Sequence, residues 1–195
     1  MYNNPTEGSG IWNAFFDDLK SRGLEKVGLI VSDGLNNIEE VAERHFSGVE
    51  VQLCSVHLQR EICNRVRPKD KRAISSKLSE VFRKNDPKRT VEDGVKDFSK
   101  FAKEWHEHYP FLSKIADGER IYYYFTYLKY DVVVRRYIHS TNWIERFNRQ
   151  IKKGATYKCA FPSVDSALHL VGSIALNSSY LGRRIGDLIG GLKKL

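Results

Sequence analysis

A chain of 195 residues with 41% hydrophobic and 12% aromatic content can build a packed core, which excludes a disordered polypeptide and bounds the fold to one domain, or a domain with an insertion. Its 32 Lys and Arg against 24 Asp and Glu leave a formal net charge of +8, which favours a polyanionic partner, nucleic acid ahead of a membrane surface. No apolar run approaches the roughly 18 residues that a bilayer span needs. The opening MYNNPTEGSG lacks the basic-then-apolar pattern of an export signal, and three cysteines without such a signal fit a reducing cytoplasm.

The first expected element is an amphipathic helix over Gly10 to Gly23, with Trp12, Phe15, Phe16 and Leu19 on one side. VGLIVSDG then reads as a short buried strand that ends on Asp33-Gly34. Ile38, Val41, Ala42 and Phe46 give the next segment, Asn37 to Phe46, a helical stripe, and VEVQLCSVH, Val49 to His57, alternates as a second strand. Helix, strand, helix, strand is α/β organisation with adjacent parallel strands.

From Leu58 to about Tyr127 helical patterns take over. Ile74, Leu78, Val81 and Phe82 form one stripe, closed by Asp86-Pro87. Thr90 with Asp93 reads as a capping box that opens a helix carrying Val91, Val95, Phe98, Ala102 and Trp105, and that helix stops before Pro110. IYYYFTYLKY, Ile121 to Tyr130, fits strand or helix. TNWIERFNRQIKK is a basic helix in which Trp143, Phe147 and Ile151 share a side and Glu145 points away from them. Ser163 opens a last helix with Val164, Ala167, Leu168, Val171 and Ala175 as its stripe.

Three places carry candidate chemistry, each with two readings. Asp33 sits where α/β sheets place active-site acids, or it is turn chemistry that caps the following helix. Cys54 and His57, with Cys63 and His139 as further donors, are half of a zinc site, or a packed thiol and a hydrogen-bonded imidazole. Glu145 is a surface ion-pair acid, as with Arg149, or a metal ligand beside a phosphate backbone that Arg146, Arg149, Lys152 and Lys153 would neutralise.

Taken in order, LKSRGL, LIVSDG, VQLCSVHLQREI, YIHSTNWIERFNRQIKK and AFPSVDSALHLV resemble the Mutator-type transposases of bacterial insertion sequences, over about residues 8 to 182. That family has an acid-Gly pair on a strand, a Cys-x-x-His next, and a YTTNxIExxNRxxR-like helix; His139-Ser140 departs mildly from its Tyr-Thr. The resemblance implies an α/β, RNase H-like fold, here its last two strands and flanking helices, in residues 1–57 and 131–195, with an all-helical insertion over 58–130. By position Asp33 matches the second catalytic acid and Glu145 the third. Such acids hold two divalent ions, Mg²⁺ or Mn²⁺, for in-line attack on a DNA phosphodiester. Cys54 and His57 match the C-x-x-H signature, taken as structural or DNA-positioning. Arg146, Asn148 and Arg149, with Lys152 and Lys153, match the basic face beside the backbone.

The family's first catalytic Asp lies on an earlier strand. Glu7, Asp17, Asp18 and Glu25 precede Asp33, and none sits in a strand-like run. The expectation is therefore the C-terminal portion of a transposase, cytoplasmic and DNA-associated, that does not cut or join DNA alone. Its partners would be double-stranded DNA, as insertion-sequence ends and target, and a further copy or full-length transposase. A non-catalytic DNA-binding protein that modulates transposase is the alternative, and a zinc-stabilised interaction module is a third reading.

Overall fold

The computed structural model describes residues 9–34, 37–158 and 160–177. Of the sequence readings, Glu7 lies outside these residues. The described residues up to 140 form one compact unit and those from 141 onward form another.

The first unit opens with α1 (Ser9–Ser21), which ends where Gly23 adopts φ 96°, a left-handed turn that glycine enters without steric penalty. A parallel βαβ unit follows, in which β1 (Leu29–Ser32) and β2 (Glu50–Leu53) pair in the register Leu29 to Glu50 through Ser32 to Leu53, joined by α2 (Ile38–His45). The core of this layer is Phe16 of α1, Ile38, Val41, Ala42 and Phe46 around α2, and Val49, Val51 and Leu53 on or beside β2. The fold is thus α/β, mostly helical, with a two-stranded parallel sheet among the described residues.

The strand expected over Val49 to His57 is shorter, and this corrects the reading of Cys54 and His57. Cys54 is the N-cap of α3 (Ser55–Arg65), and His57 lies in that helix's first turn. The Ser55 backbone N–H and hydroxyl both donate to the His139 carbonyl, at 3.1 and 2.9 Å, which turns the chain out of the sheet. Ser55, Leu58 and Ile62 then recur at helical spacing on the buried side, and this period prevails over the strand alternation.

Helices α4 (Lys71–Val81) and α5 (Val91–Glu104) bury Ile74, Leu78, Phe98 and Ala102, as their stripes require, while Val95 and Trp105 are half-buried and Phe101, outside the stripe, is buried as well. Thr90 and Asp93 form the reciprocal capping box, with Thr90 Oγ1 accepting from the Asp93 N–H at 3.2 Å and the Asp93 carboxylate accepting from the Thr90 N–H at 3.0 Å. Gly94 is needed where α5 meets Phe125: a Cβ there would lie 2.8 Å from that ring's Cγ. Phe125 itself stacks on Phe82 at 4.8 Å between centroids.

After α6 (Phe111–Ala116), the aromatic stretch forms two 3-10 helices, Glu119–Tyr124 and Thr126–Lys129, rather than strand or α-helix. Buried Gln52 of β2 holds them: its Nε2 donates to the Tyr124 carbonyl at 3.1 Å, and its Oε1 accepts from the Tyr127 N–H at 2.5 Å. Helix α7 (Val132–Ile138) starts at Asp131, whose side chain accepts from the Val133 N–H.

The second unit is a helical pair, α8 (Asn142–Lys158) and α9 (Val164–Leu176). Ser163 opens α9 through a capping box with Ser166. Gly154 lets the two helices approach, since a Cβ there would meet Ile174 Cδ1 at 3.1 Å. No helix among the described residues is long and apolar enough to cross a membrane.

Candidate functional site

Asp33 follows the last residue of β1, so the parallel sheet presents it at the carboxyl edge of the strand, one step from the buried Cys54 on the neighbouring strand's end. The Cys54 N–H donates to the Ser32 carbonyl at 2.7 Å, which continues the ladder to that edge. Asp33 does not cap α2. The N-cap is Asn37, in the left-handed region at φ 62°. The Asp33 carboxylate is exposed and takes no hydrogen bond or ion pair from any described residue.

The second acid at this edge behaves differently. Glu39, in the first turn of α2, is 6% exposed and accepts from Arg120 Nε at 2.8 Å. Arg120 Nη2 also donates to the Gly34 carbonyl at 3.4 Å, so the residue after Asp33 is tied to the 3-10 segment. Gly34 stands at φ 102°, and a Cβ there would meet the Tyr124 hydroxyl at 3.6 Å. Burial pushes the Tyr124 phenol up, so it stays neutral beside the turn. Sequence reasoning missed Glu39 and Arg120, which are 81 residues apart. The available signal was an acid adjoining Ile38 on the face of α2 that Val41 and Ala42 bury.

Cys54 and His57 come together at the start of α3, and Cys63 lies two to three turns along the same helix. Nine residues at a rise of about 1.5 Å set Cys63 roughly 13 Å from Cys54, too far for one tetrahedral ion. His139 is committed elsewhere: Nδ1 faces the Arg135 carbonyl at 3.0 Å and Nε2 faces Lys84 Nζ at 3.1 Å. A carbonyl only accepts and an ammonium only donates, so Nδ1 carries the proton and Nε2 accepts. The donor set of the zinc reading therefore does not fit, and no three His, Cys, Asp or Glu among the described residues are grouped to hold a metal.

His139 has a measurable consequence. Burial, then the Lys84 charge, holds its imidazole below the ordinary histidine value. The folded pKa lies below the unfolded value of about 6.5, so between the two the unfolded chain binds the extra proton. Stability is then complete above about pH 6.5 and falls as the pH drops through that window. Urea midpoints at successive pH values should show this decline in the wild type, and His139→Gln should flatten it.

Glu145 lies in the first turn of α8 and is half-buried, while Arg146, Asn148, Arg149, Lys152 and Lys153 are all exposed. Trp143, Phe147 and Ile151 are half-buried on the opposite register, as the spacing requires. Arg146, Arg149, Lys152 and Lys153 all reach solvent from one arc of the helix. One side of α8 is a row of four exposed cations that begins beside Glu145.

A family model described as "Transposase, Mutator family" matches residues 1–181. The chain is 29% identical to the transposase for insertion sequence element IS1201 of Lactobacillus helveticus, over 89% of this chain and 46% of that protein. It is 25% identical to the transposase for insertion sequence element IS905 of Lactococcus lactis, over 83% of this chain and 40% of that protein. It is 29% identical to the transposase for insertion sequence element ISRM3 of Rhizobium meliloti, with 92% and 44% covered. The chain thus spans less than half the length of these relatives.

Proposed function

The chain belongs to the Mutator family of transposases, and on that footing we propose that it carries part of the divalent-metal site and of the DNA-contacting surface of an insertion-sequence transposase. The βαβ unit is assigned, within the same proposal, to an RNase H-like catalytic domain. Asp33 and Glu145 are its metal-binding carboxylates, for Mg²⁺ or Mn²⁺. When bound, these ions activate the attacking oxygen and neutralise charge on a phosphodiester. The chain's own residues do the rest. Asp33 offers hard oxygen ligands from the rigid edge of a strand, and Gly34, clamped by Arg120 and Glu39, fixes the direction of that turn. Arg146, Arg149, Lys152 and Lys153 neutralise backbone phosphates, and Asn148 donates to them.

The observation that carries this reading is the contrast between two acids at one strand edge. Glu39 is engaged by Arg120, while Asp33 keeps its carboxylate clear of every described residue, as a ligand for a hard cation must. Asp17 and Asp18 lie in α1 and Glu25 in the segment after it, so none of them supplies a further strand-borne acid. A second reading, a DNA-binding protein that modulates transposase without cutting, is favoured by the exposed cations of α8, which can hold a DNA backbone with or without a metal ion.

Mn²⁺ titration of the protein–DNA complex, read by the paramagnetic signal of the free ion, separates the two. Asp33→Asn and Glu145→Gln should each weaken Mn²⁺ binding about tenfold or more, with DNA binding in EDTA unchanged. Unaltered Mn²⁺ affinity in both variants supports the non-catalytic reading.

A further inference from the structure

We infer that the corner joining α3 to α4 is a second DNA-backbone docking surface, built from residues other than those of α8. It rests on the reading of DNA as the partner, but not on Asp33, Glu145 or any residue of α8.

The corner, RVRPKDKR from Arg65 to Arg72, holds five cations and one acid. The acid is already engaged. Asp70 Oδ2 accepts from the buried Tyr109 hydroxyl at 2.5 Å, and that hydroxyl accepts in turn from the Arg67 N–H at 3.1 Å. The Asp70 N–H donates to the Arg67 carbonyl at 3.0 Å and closes the turn around Pro68. Arg65 is engaged too, pairing with Glu61 at 3.3 Å and lying over the Phe111 ring at 3.9 Å. Arg67, Lys69, Lys71 and Arg72 remain. All four are exposed, and none makes an ion pair or side-chain hydrogen bond with a described residue.

This differs from an ordinary solvated charged face. On α5 the exposed Lys96, Lys100 and Lys103 share the helix with the exposed Glu92 and Glu104, besides the engaged Asp93 and Asp97, and such mixed signs cancel within a Debye length. At the corner no free acid interrupts the four cations. The backbone beneath is fixed by buried Ile62, Val66, Ile74 and Leu78, so binding has only side chains to order. The orphan N–H groups of the first turn of α4 lie beside the patch and add to its preference for an anion.

The chemistry selects a phosphate backbone. Tyr109 is buried and Arg65 already covers the half-buried Phe111 ring, so neither ring presents itself for stacking an unpaired base as an open platform would. Residues 67–69, 71 and 72 present charge and one proline, with no apolar anchor for a protein or a bilayer. What remains is sequence-independent contact with duplex DNA.

The test is anisotropy of a fluorescent duplex with the full chain, over a range of salt. The variant R67Q/K69Q/K71Q/R72Q should bind about ten- to a hundredfold more weakly at about 0.1 M salt and lose about 3 to 4 from the log–log salt slope. A control on α5, K96Q/K100Q/K103Q, should stay within about threefold of the wild type, because those lysines sit on a mixed-sign face. Unchanged binding by the corner variant overturns the inference, as does an equal loss in the control. If an α8 variant loses binding and the corner variant does not, the corner fails and the proposed function stands; the reverse result spares the corner alone. Preference for anionic lipid vesicles over DNA, sensitive to the same four residues, also overturns it. A second readout needs no variant: DNA should protect Lys69 and Lys71 of the wild-type chain from acylation, and full reactivity of both in the complex counts against the corner.

Discussion

Replacing Arg146, Arg149, Lys152 and Lys153 together with glutamine should lower the affinity for duplex DNA by about a hundredfold at about 0.1 M salt, while the fold melts at nearly the wild-type temperature. Each phosphate contact releases condensed counterions and contributes about 0.9 to the slope of log affinity against log salt, so four contacts account for a slope change of about 3 to 4. The four side chains are exposed. Substitutions at such positions usually change stability by no more than about 0.5 kcal/mol each. Anisotropy titrations across a salt series check the first half and thermal melts the second. Wild-type affinity and slope in this variant would remove α8 from the DNA-contacting surface.

Gln52→Ala should unfold the first unit at markedly lower urea, with a loss of about 3–5 kcal/mol. Gln52 is fully buried on β2, and its amide serves both 3-10 helices. Truncation leaves the Tyr127 N–H and the Tyr124 carbonyl without their partner in the interior and opens a cavity between sheet and helices. Gln52→Leu restores volume but not hydrogen bonds, so it should recover only part of the loss. Arg120 and Tyr124 belong to the same 3-10 segment, so loosening it also releases the turn behind Asp33. The urea midpoints of the two variants check this, and a loss below about 1 kcal/mol for Gln52→Ala would contradict the role given to Gln52.

Local signals were legible in the sequence. Both helix starts at Thr90 and Ser163 depend on a hydroxyl and a residue three positions on, and both form as capping boxes. The period of Ile74, Leu78 and Val81 buries the residues it should, and the apolar stripe of α8 lies where a 3.6-residue repeat sets it. Illegible features depend on distant partners. The end of β2 is set by the His139 carbonyl, 84 residues from Ser55, and so Cys54 and His57 fall in a helix start rather than on a strand. Val132 to Val134 form a strand-like run, yet α7 absorbs them because Asp131 caps the start and buried Arg135 donates to the Tyr130, Asp86 and Leu128 carbonyls. The aromatic segment becomes 3-10 helix for a similar reason, since Gln52 meets its backbone 72 and 75 positions away.

Asp33 and Glu145 were singled out by the family motifs, and neither spacing nor periodicity did so alone. The support around Asp33 had no sequence signature. Glu39 and Arg120 look like ordinary charged residues until the fold joins them behind Gly34.

The central claim is that Asp33 and Glu145 are divalent-ion ligands, and iron-directed cleavage of the polypeptide tests it most directly. Fe²⁺ in place of Mg²⁺, with ascorbate and peroxide, generates hydroxyl radicals that cut the chain beside the residues holding the ion. The protein–DNA complex should yield fragments ending near Asp33 and near Glu145. Those cuts should vanish with excess Mg²⁺, and in Asp33→Asn and Glu145→Gln. Cuts confined to other positions, or cuts at these two that persist in both variants, would contradict the account.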